Sequence, residues 1–187
     1  MLAPRRCSER TALARLGLVL FVLLASACGH SDKPDGGSDG GAQWAEGTLE
    51  LGNVAPDGGF QKMPVEVEAT PGAQGGFHIP VMYRVNGEAL PGVLFEHRIE
   101  RTRDATLVSK GTRTYDVGPV ASQESWTTPG AVIIFICPTP VGVNVVGESL
   151  TFEVTATKDG ELLGKATASA VFRCAPGDSF CESICKG

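Results

Sequence analysis

The sequence is poor in the residues on which common catalytic centres depend. It contains three histidines in 187 residues, and His30 lies in a stretch of glycine and aspartate. Only His78 and His97 are left for histidine-based chemistry. The chain also lacks the nucleophile elbow, the phosphate loop, the dinucleotide fingerprint and the His-Glu-x-x-His and Cys-x-x-Cys motifs. These absences favour a non-enzymatic protein, and we predict no catalytic residue and no cofactor.

Positive charge is also in short supply. The whole chain has 16 basic and 21 acidic residues, a net charge of -5. Residues 1–27 hold four of the basic residues and one of the acidic residues, which leaves 12 against 20, or -8, for the rest. An acidic chain without a basic stripe is a poor partner for nucleic acid or for anionic lipid. We therefore expect no nucleic-acid partner.

The apolar run at residues 16–27 (LGLVLFVLLASA) is too short for a permanent membrane span. A helix needs roughly twenty apolar residues to cross the hydrocarbon core of a bilayer. The run directly follows a segment with four arginines and a single acid. A basic segment followed by a short apolar one is typical of a signal peptide. We predict that residues 1–27 direct export and are then removed.

Small residues lead from this run into a cysteine, as residues 24–28 read LASAC. The motif resembles the lipobox of bacterial lipoproteins, although Ala25 stands where that family more often has leucine. The resemblance implies cleavage before Cys28, acylation of its thiol and amino group by palmitate-type chains, and attachment to a lipid bilayer. The alternative is ordinary cleavage that leaves Cys28 as a free thiol. In enterobacteria a residue such as Gly29 favours sorting to the outer membrane, so the resemblance indicates an outer-membrane location in the bacterial cell envelope.

Residues 28–43 are predicted to form a flexible tether. The segment 30–41 (HSDKPDGGSDGG) has no large apolar residue and is rich in glycine, aspartate and serine. Its aspartates do not have the spacing of a calcium-binding EF-hand. A lipobox, an Asp/Gly tether and a small β-domain, predicted over residues 44–187, make the chain similar to lipoproteins that are numerous in myxobacteria. That resemblance is specific only over residues 1–41 and implies no activity.

Beyond residue 44 the apolar residues recur with a period of two, which predicts half-buried strands and not helices. Pro, Gly, Asn and Asp separate these segments. The segment 131–137 (AVIIFIC) is apolar on both faces and is predicted to be a central, well-covered strand. The predicted strands are residues 48–51, 65–69, 81–85, 94–101, 131–137, 150–156 and 166–172.

This pattern predicts an all-β protein, an antiparallel β-sandwich in which an immunoglobulin-like arrangement is the preferred form. The clearest hairpin spans residues 149–170, with Asp159 and Gly160 suited to a tight turn. The Cys-Trp-Cys spacing of antibody domains is missing, because Trp126 precedes the first cysteine of the domain. The likeness to immunoglobulins is therefore architectural only.

Four cysteines, Cys137, Cys174, Cys181 and Cys185, remain for the domain. In an exported protein four cysteines favour two disulfides, because the compartment is oxidising. A zinc site is the competing interpretation, but the spacings are unusual for zinc and no histidine lies near.

The four cysteines include two in a predicted helical turn at the C-terminus. Ser179 and Glu182 have the spacing of a capping box. One helical turn places Cys181 and Cys185 on the same face. We favour bridges from this turn to the other two cysteines, with a local Cys181–Cys185 bridge as the alternative. The bridges are expected to stabilise the tail and not to form a catalytic redox pair.

A copper site is conceivable but not favoured. His78 and Met82 share strand parity, and Met63 and His97 lie in neighbouring predicted strands. The spacing does not match the cupredoxin pattern, and packing of Met82 in the core explains it equally well. We predict no bound metal.

Two features are candidates for contact with a partner. The segment 96–104 (EHRIERTRD) mixes acids with Arg98, Arg101 and Arg103, and such runs usually solvate an exposed hairpin. The functional alternative is an arginine cluster that grips an anionic partner. Trp126 either stacks on a sugar or protein from an exposed loop or caps one end of the core.

These observations together favour a membrane-anchored, non-enzymatic binding or structural module of the cell envelope. Its expected partners are the lipid bilayer, through Cys28, and an envelope protein or glycan. The alternative is an envelope hydrolase or metal-handling protein with a convergent site.

Overall fold

The computed structural model describes residues 43–87, 89–118 and 125–187. Cys28, the predicted signal peptide and most of the predicted tether lie outside these residues. In the described ranges no helix is long and apolar enough to cross a membrane. The elements found there are β1 (Leu49–Val54), β2 (Phe60–Lys62), β3 (Glu66–Glu68), β4 (Thr70–Pro71), β5 (Phe77–Val85), β6 (Leu90–Arg101), β7 (Thr106–Val117), β8 (Trp126–Thr127), β9 (Val132–Cys137), β10 (Ser149–Lys158), β11 (Glu161–Arg173) and α1 (Ser179–Ile184).

The strands form two sheets. In the first, β5 is central. One edge of β5 pairs with β1 and β4, and β2 pairs with the outer edge of β1. The other edge of β5 pairs with β8 and β9. In the second, the order is β3-β11-β10-β6-β7, antiparallel except for the short parallel pair of β3 and β11. The order β1-β5-β9 and β11-β10-β6-β7 is that of strands A-B-E and G-F-C-C′ of the immunoglobulin sandwich. The prediction of an all-β, immunoglobulin-like sandwich is confirmed.

The core forms because alternate residues of each strand face the opposite sheet. In β10, Leu150, Phe152, Val154 and Ala156 are buried, and the residues between them are partly exposed. All seven predicted strands coincide with or overlap strands of the structure. Near one end of the core, Phe95 stacks on the rings of Tyr83 and Trp126. The alternation in the sequence therefore locates the core correctly.

The prediction for residues 131–137 is wrong in one respect. Among the described strands β9 pairs only with β5, so it lies at a sheet edge and not at the centre. Ile133 and Phe135 are 40% and 52% exposed. A run that is apolar on both faces indicates a fully covered strand, but a sheet-edge strand with an exposed apolar face has the same pattern.

The C-terminal tail is tied to the sandwich by two disulfides. One joins Cys137, the last residue of β9, to Cys185, and the other joins Cys174, just after β11, to Cys181. The favoured arrangement, in which the helical turn is bridged to Cys137 and Cys174, is confirmed. The capping residue is one position earlier than predicted, because the side chain of Asp178, and not that of Ser179, accepts the hydrogen bond from the Cys181 N–H.

Candidate functional site

The three arginines of the charged hairpin do not form one cluster. Arg101 is 7% exposed, and its guanidinium donates to Asp104 and to the carbonyl of Asn144. Its hydrogen bonds hold the pKa of Asp104 well below its usual range. Arg101 therefore stabilises the hairpin and is not available to bind an anion. The hypothesis that it contacts an anionic partner is wrong for this residue.

Arg98 and Arg103 are more exposed, but each already has a carboxylate partner. Arg98 pairs with Glu100 on the outer face of β6, and Arg103 pairs with Glu148 at 3.0 Å. Surface pairs of this kind contribute little to stability. The observed arrangement is the mixed, solvated hairpin and not a uniformly basic surface.

Trp126 is a core residue, so the hypothesis of an exposed contact is wrong for it. Its side chain is 7% exposed and stacks on Phe95, with ring centroids 5.9 Å apart. Tyr115 packs against the same indole at 5.7 Å. The alternative, that Trp126 caps one end of the core, is confirmed.

The two histidines of the domain lie in different environments on the sandwich. His97 is buried, with Nδ1 3.3 Å from the Tyr83 hydroxyl and the ring against Gly111. Burial lowers the pKa of His97, and Arg113 lowers it further. His78 lies near the start of β5, where burial lowers its pKa and its ring packs edge-on against Phe135.

His78 and Met82 are four residues apart on one strand, a separation of about 13 Å that a single ion does not bridge. In the described part of the chain, one group of three or more His, Cys, Asp or Glu side chains lies close enough together to hold a metal ion. That group consists of Cys174, Cys181 and Cys185, and all three are in disulfides.

One side of the sandwich has an unpaired stretch of β11, residues 165–169, which we call the β11 edge. The N–H of Val171 donates to Val65, away from β10. Groups two residues apart on a strand point to the same side, so the N–H and C=O groups of Lys165, Thr167 and Ser169 also point away from β10. Within the described residues these groups have no hydrogen-bond partner.

A groove of about 500 Å³ runs along the β11 edge, between it and β1. Ala166 and Ala168 face the sandwich interior there and are half-buried. The rest of the apolar lining consists of Leu49, Leu51, Phe60 and Met63. Because alanine side chains are short, they leave room for larger side chains of another molecule. The groove thus combines unpaired backbone groups with an apolar floor.

The ends and rim of the groove are defined by the neighbouring chain. Trp44 donates its N–H to the Leu163 carbonyl and packs on Gly164, which closes one end. On the rim, Lys165 pairs with Glu153 at 2.6 Å, and Glu50 pairs with Arg84. The hydrogen bond from Arg84 lowers the pKa of Glu50. The other two charged residues of the lining, Glu46 and Lys62, have opposite charges, so the rim has little net charge to offer a ligand.

A second, smaller groove lies at the opposite side of the sandwich, where β7 and β9 form the outer edges of their sheets. Its volume is about 250 Å³, and His97, Arg113, Ile133 and Phe135 are among its lining residues. It is half the size of the first groove, and the imidazole of His97 is already bonded to Tyr83. The β11 edge is therefore the better candidate binding site.

No protein-family model matches this chain, and none of the curated proteins is significantly similar to it. The fold places the domain in the class of immunoglobulin-like β-sandwiches. That fold hosts many unrelated functions, so any functional argument has to come from the site itself.

Proposed function

We propose that this chain is a lipid-anchored protein of the bacterial cell envelope that acts as a non-enzymatic binding module. Its β11 edge accepts an extended polypeptide segment of an envelope partner as an additional strand. The observation that carries the proposal is the row of unpaired N–H and C=O groups at Lys165, Thr167 and Ser169 beside an apolar groove. Addition of a strand to an exposed sheet edge is a recurrent mode of peptide recognition.

The chemistry of the groove favours a polypeptide over a glycan. Unpaired donors and acceptors alternate along about 13 Å of β11. The backbone groups of another strand have the same spacing and can pair with them. The apolar floor at Ala166 and Ala168 suits a large apolar side chain at every second residue of the added strand. The described residues that line the groove include no histidine or cysteine, which makes the groove a poor catalytic centre.

A proline at position 167 tests this mode of binding. Thr167→Pro removes one N–H that points into the groove, and an edge strand tolerates proline there. Thr167→Ala is the matched control because it keeps the N–H and changes only the side chain. A photo-crosslinking residue at position 169 is expected to label one partner segment in the native envelope, in the wild type and in Thr167→Ala, with the label lost in Thr167→Pro.

Position 151 provides the spatial control for that experiment. Thr151 is directly opposite Ser169 on β10, away from the β11 edge. A crosslinker there should not label the partner segment. Equal labelling from both positions, or undiminished labelling in Thr167→Pro, would contradict binding along β11 while leaving the lipid anchor untouched.

The anchor has its own test. Cys28→Ser removes the thiol that the lipobox assigns to acylation, and Cys7→Ser changes the other cysteine of the export segment as a control. Cys28→Ser is expected to move the protein from the membrane fraction to the soluble fraction and to abolish labelling by a fatty acid. Cys7→Ser should behave like the wild type. A membrane-bound, unlabelled wild-type protein that Cys28→Ser does not release would show that the anchor is assigned wrongly.

A further inference from the structure

The four cysteines of the two disulfides differ sharply in their access to solvent. Cys137, Cys181 and Cys185 are at most 1% exposed. Cys174 is half-buried and lines a cleft of about 410 Å³ together with Glu66, Glu68, Arg173 and Pro176. Of the four cysteines, Cys174 is therefore the one that a thiol from solution can approach.

The two disulfides are close enough to react with each other. Cys181 belongs to the outer bridge with Cys174, and its sulfur lies 3.8 Å from the sulfur of Cys185 in the inner bridge. The sulfurs of Cys174, Cys181 and Cys185 all lie within 4.8 Å of one another. Side chains four residues apart on a helix are neighbours, so α1 itself brings Cys181 and Cys185 together.

We propose that Cys174 is a site of thiol modification and that its modification passes through Cys181 to the buried Cys137–Cys185 bridge. A thiolate of a small molecule or a protein attacks the Cys174 sulfur and forms a mixed disulfide, while Cys181 leaves as a thiolate. The Cys181 thiolate then attacks the Cys185 sulfur, a Cys181–Cys185 bond forms, and Cys137 leaves as a thiolate. Each step exchanges one sulfur–sulfur bond for another, so no oxidant is consumed.

The exchange has a structural consequence. Before it, the tail is covalently joined to the end of β9 and to the end of β11. After it, the one remaining protein disulfide joins Cys181 of α1 to the C-cap residue Cys185, and no disulfide joins α1 to either sheet. In an oxidising compartment both disulfides thus hold the tail to the sheets. A single attack at Cys174 breaks both of these links.

Disulfide mapping tests the proposal on the folded, full-length protein. The probe is 2-mercaptoethanol, whose reacting thiolate carries a single negative charge, so Glu66 and Glu68 repel it less than a thiol with additional carboxylates. After brief exposure and quenching with iodoacetamide, we expect the probe on Cys174, alkylation of Cys137, and a Cys181–Cys185 linkage. Alkylation of Cys181 with the Cys137–Cys185 bridge intact would overturn the proposal, as would a first adduct on any cysteine other than Cys174 or no reaction of the folded protein.

A variant without the outer bridge provides the control. In the double variant Cys174→Ala and Cys181→Ala, no Cys181 thiolate can form, so the inner bridge cannot be attacked from within the protein. We expect loss of Cys137 alkylation under the conditions that modify the wild type. Alkylation of Cys137 at the wild-type rate would show that the inner bridge is attacked directly and would contradict the relay. Neither outcome depends on partner binding at the β11 edge, so this test is independent of the proposed function.

Discussion

Replacing Cys137 and Cys185 together by alanine is expected to lower the free energy of unfolding by about 4 kcal/mol, and the same change at Cys174 and Cys181 by about 2 kcal/mol. The bridges close loops of very different length, with sequence separations of 48 and 7 residues. A longer loop leaves more conformational freedom in the unfolded chain when its bridge is removed. The inner bridge should therefore contribute more.

Denaturant unfolding of the two double variants and the wild type measures this difference directly. For a domain of this size, loss of the inner bridge corresponds to a fall in Tm on the order of 10–15 °C. Far-UV circular dichroism should show that both variants keep the β-sandwich. Equal losses, or a larger loss at Cys174 and Cys181, would show that loop closure does not control the stability of the tail.

Phe95→Ala is expected to cost about 3–5 kcal/mol of folding free energy. Phe95 is fully buried on β6 and contacts three other aromatic rings. Its ring centroid lies 5.2 Å from that of Tyr83, 5.9 Å from that of Trp126 and 5.9 Å from that of Tyr115. Truncation leaves a cavity that rigid neighbouring rings cannot easily fill, and it removes both stacking and apolar burial.

The matched control for Phe95 is Phe135 on β9, which is 52% exposed. Phe135→Ala should change the free energy of unfolding much less than Phe95→Ala, because its ring is half in solvent. Equilibrium unfolding followed by tryptophan fluorescence reports both variants. A loss below about 1 kcal/mol for Phe95→Ala would contradict its placement in the core. Equal losses for the two variants would contradict the assignment of β9 as an exposed sheet edge.

The sequence predicts the sandwich well because alternation in a strand follows directly from which face is buried. The hairpin of β10 and β11 has strict alternation and a turn at Asp159–Gly160, and it is present as predicted. The strand β7 was not predicted, because its residues Thr106–Val117 are mainly polar and partly exposed. It forms because β6 provides a long hydrogen-bonding edge, which is information that the sequence of β7 does not contain.

Bridges from the helical turn to Cys137 and Cys174 could be inferred because the turn places Cys181 and Cys185 on one face. Which of these two cysteines joins which partner could not be inferred from the sequence. The contact hypotheses were less successful. Arg101 lies in the same charged run as the exposed Arg98 and Arg103, so the sequence does not distinguish it from them. Its burial follows from its contacts in the folded protein with the Asn144 carbonyl and Asp104. Trp126 lies next to Pro129 and Gly130, a context typical of loops, and its burial depends on Phe95, which is distant in sequence.

The β11 edge could not be predicted from the sequence. The alternation of Lys165, Ala166, Thr167, Ala168 and Ser169 shows a strand with small inward side chains. Whether a strand has one neighbour or two is decided by the topology of the sheet. Here β3 covers only residues 171–173 of β11 and Trp44 bonds to Leu163, so residues 165–169 are left open.

Amide hydrogen exchange along β11 tests the central claim most directly, because it reports whether each N–H is bonded. The account predicts that the N–H groups of Lys165, Thr167 and Ser169 exchange rapidly in the purified protein and slowly in the protein held in its native envelope. Those of Ala166 and Ala168, which point toward β10, should exchange slowly in both. Equally rapid exchange of the three edge groups in the native envelope would contradict binding of an additional strand at the β11 edge.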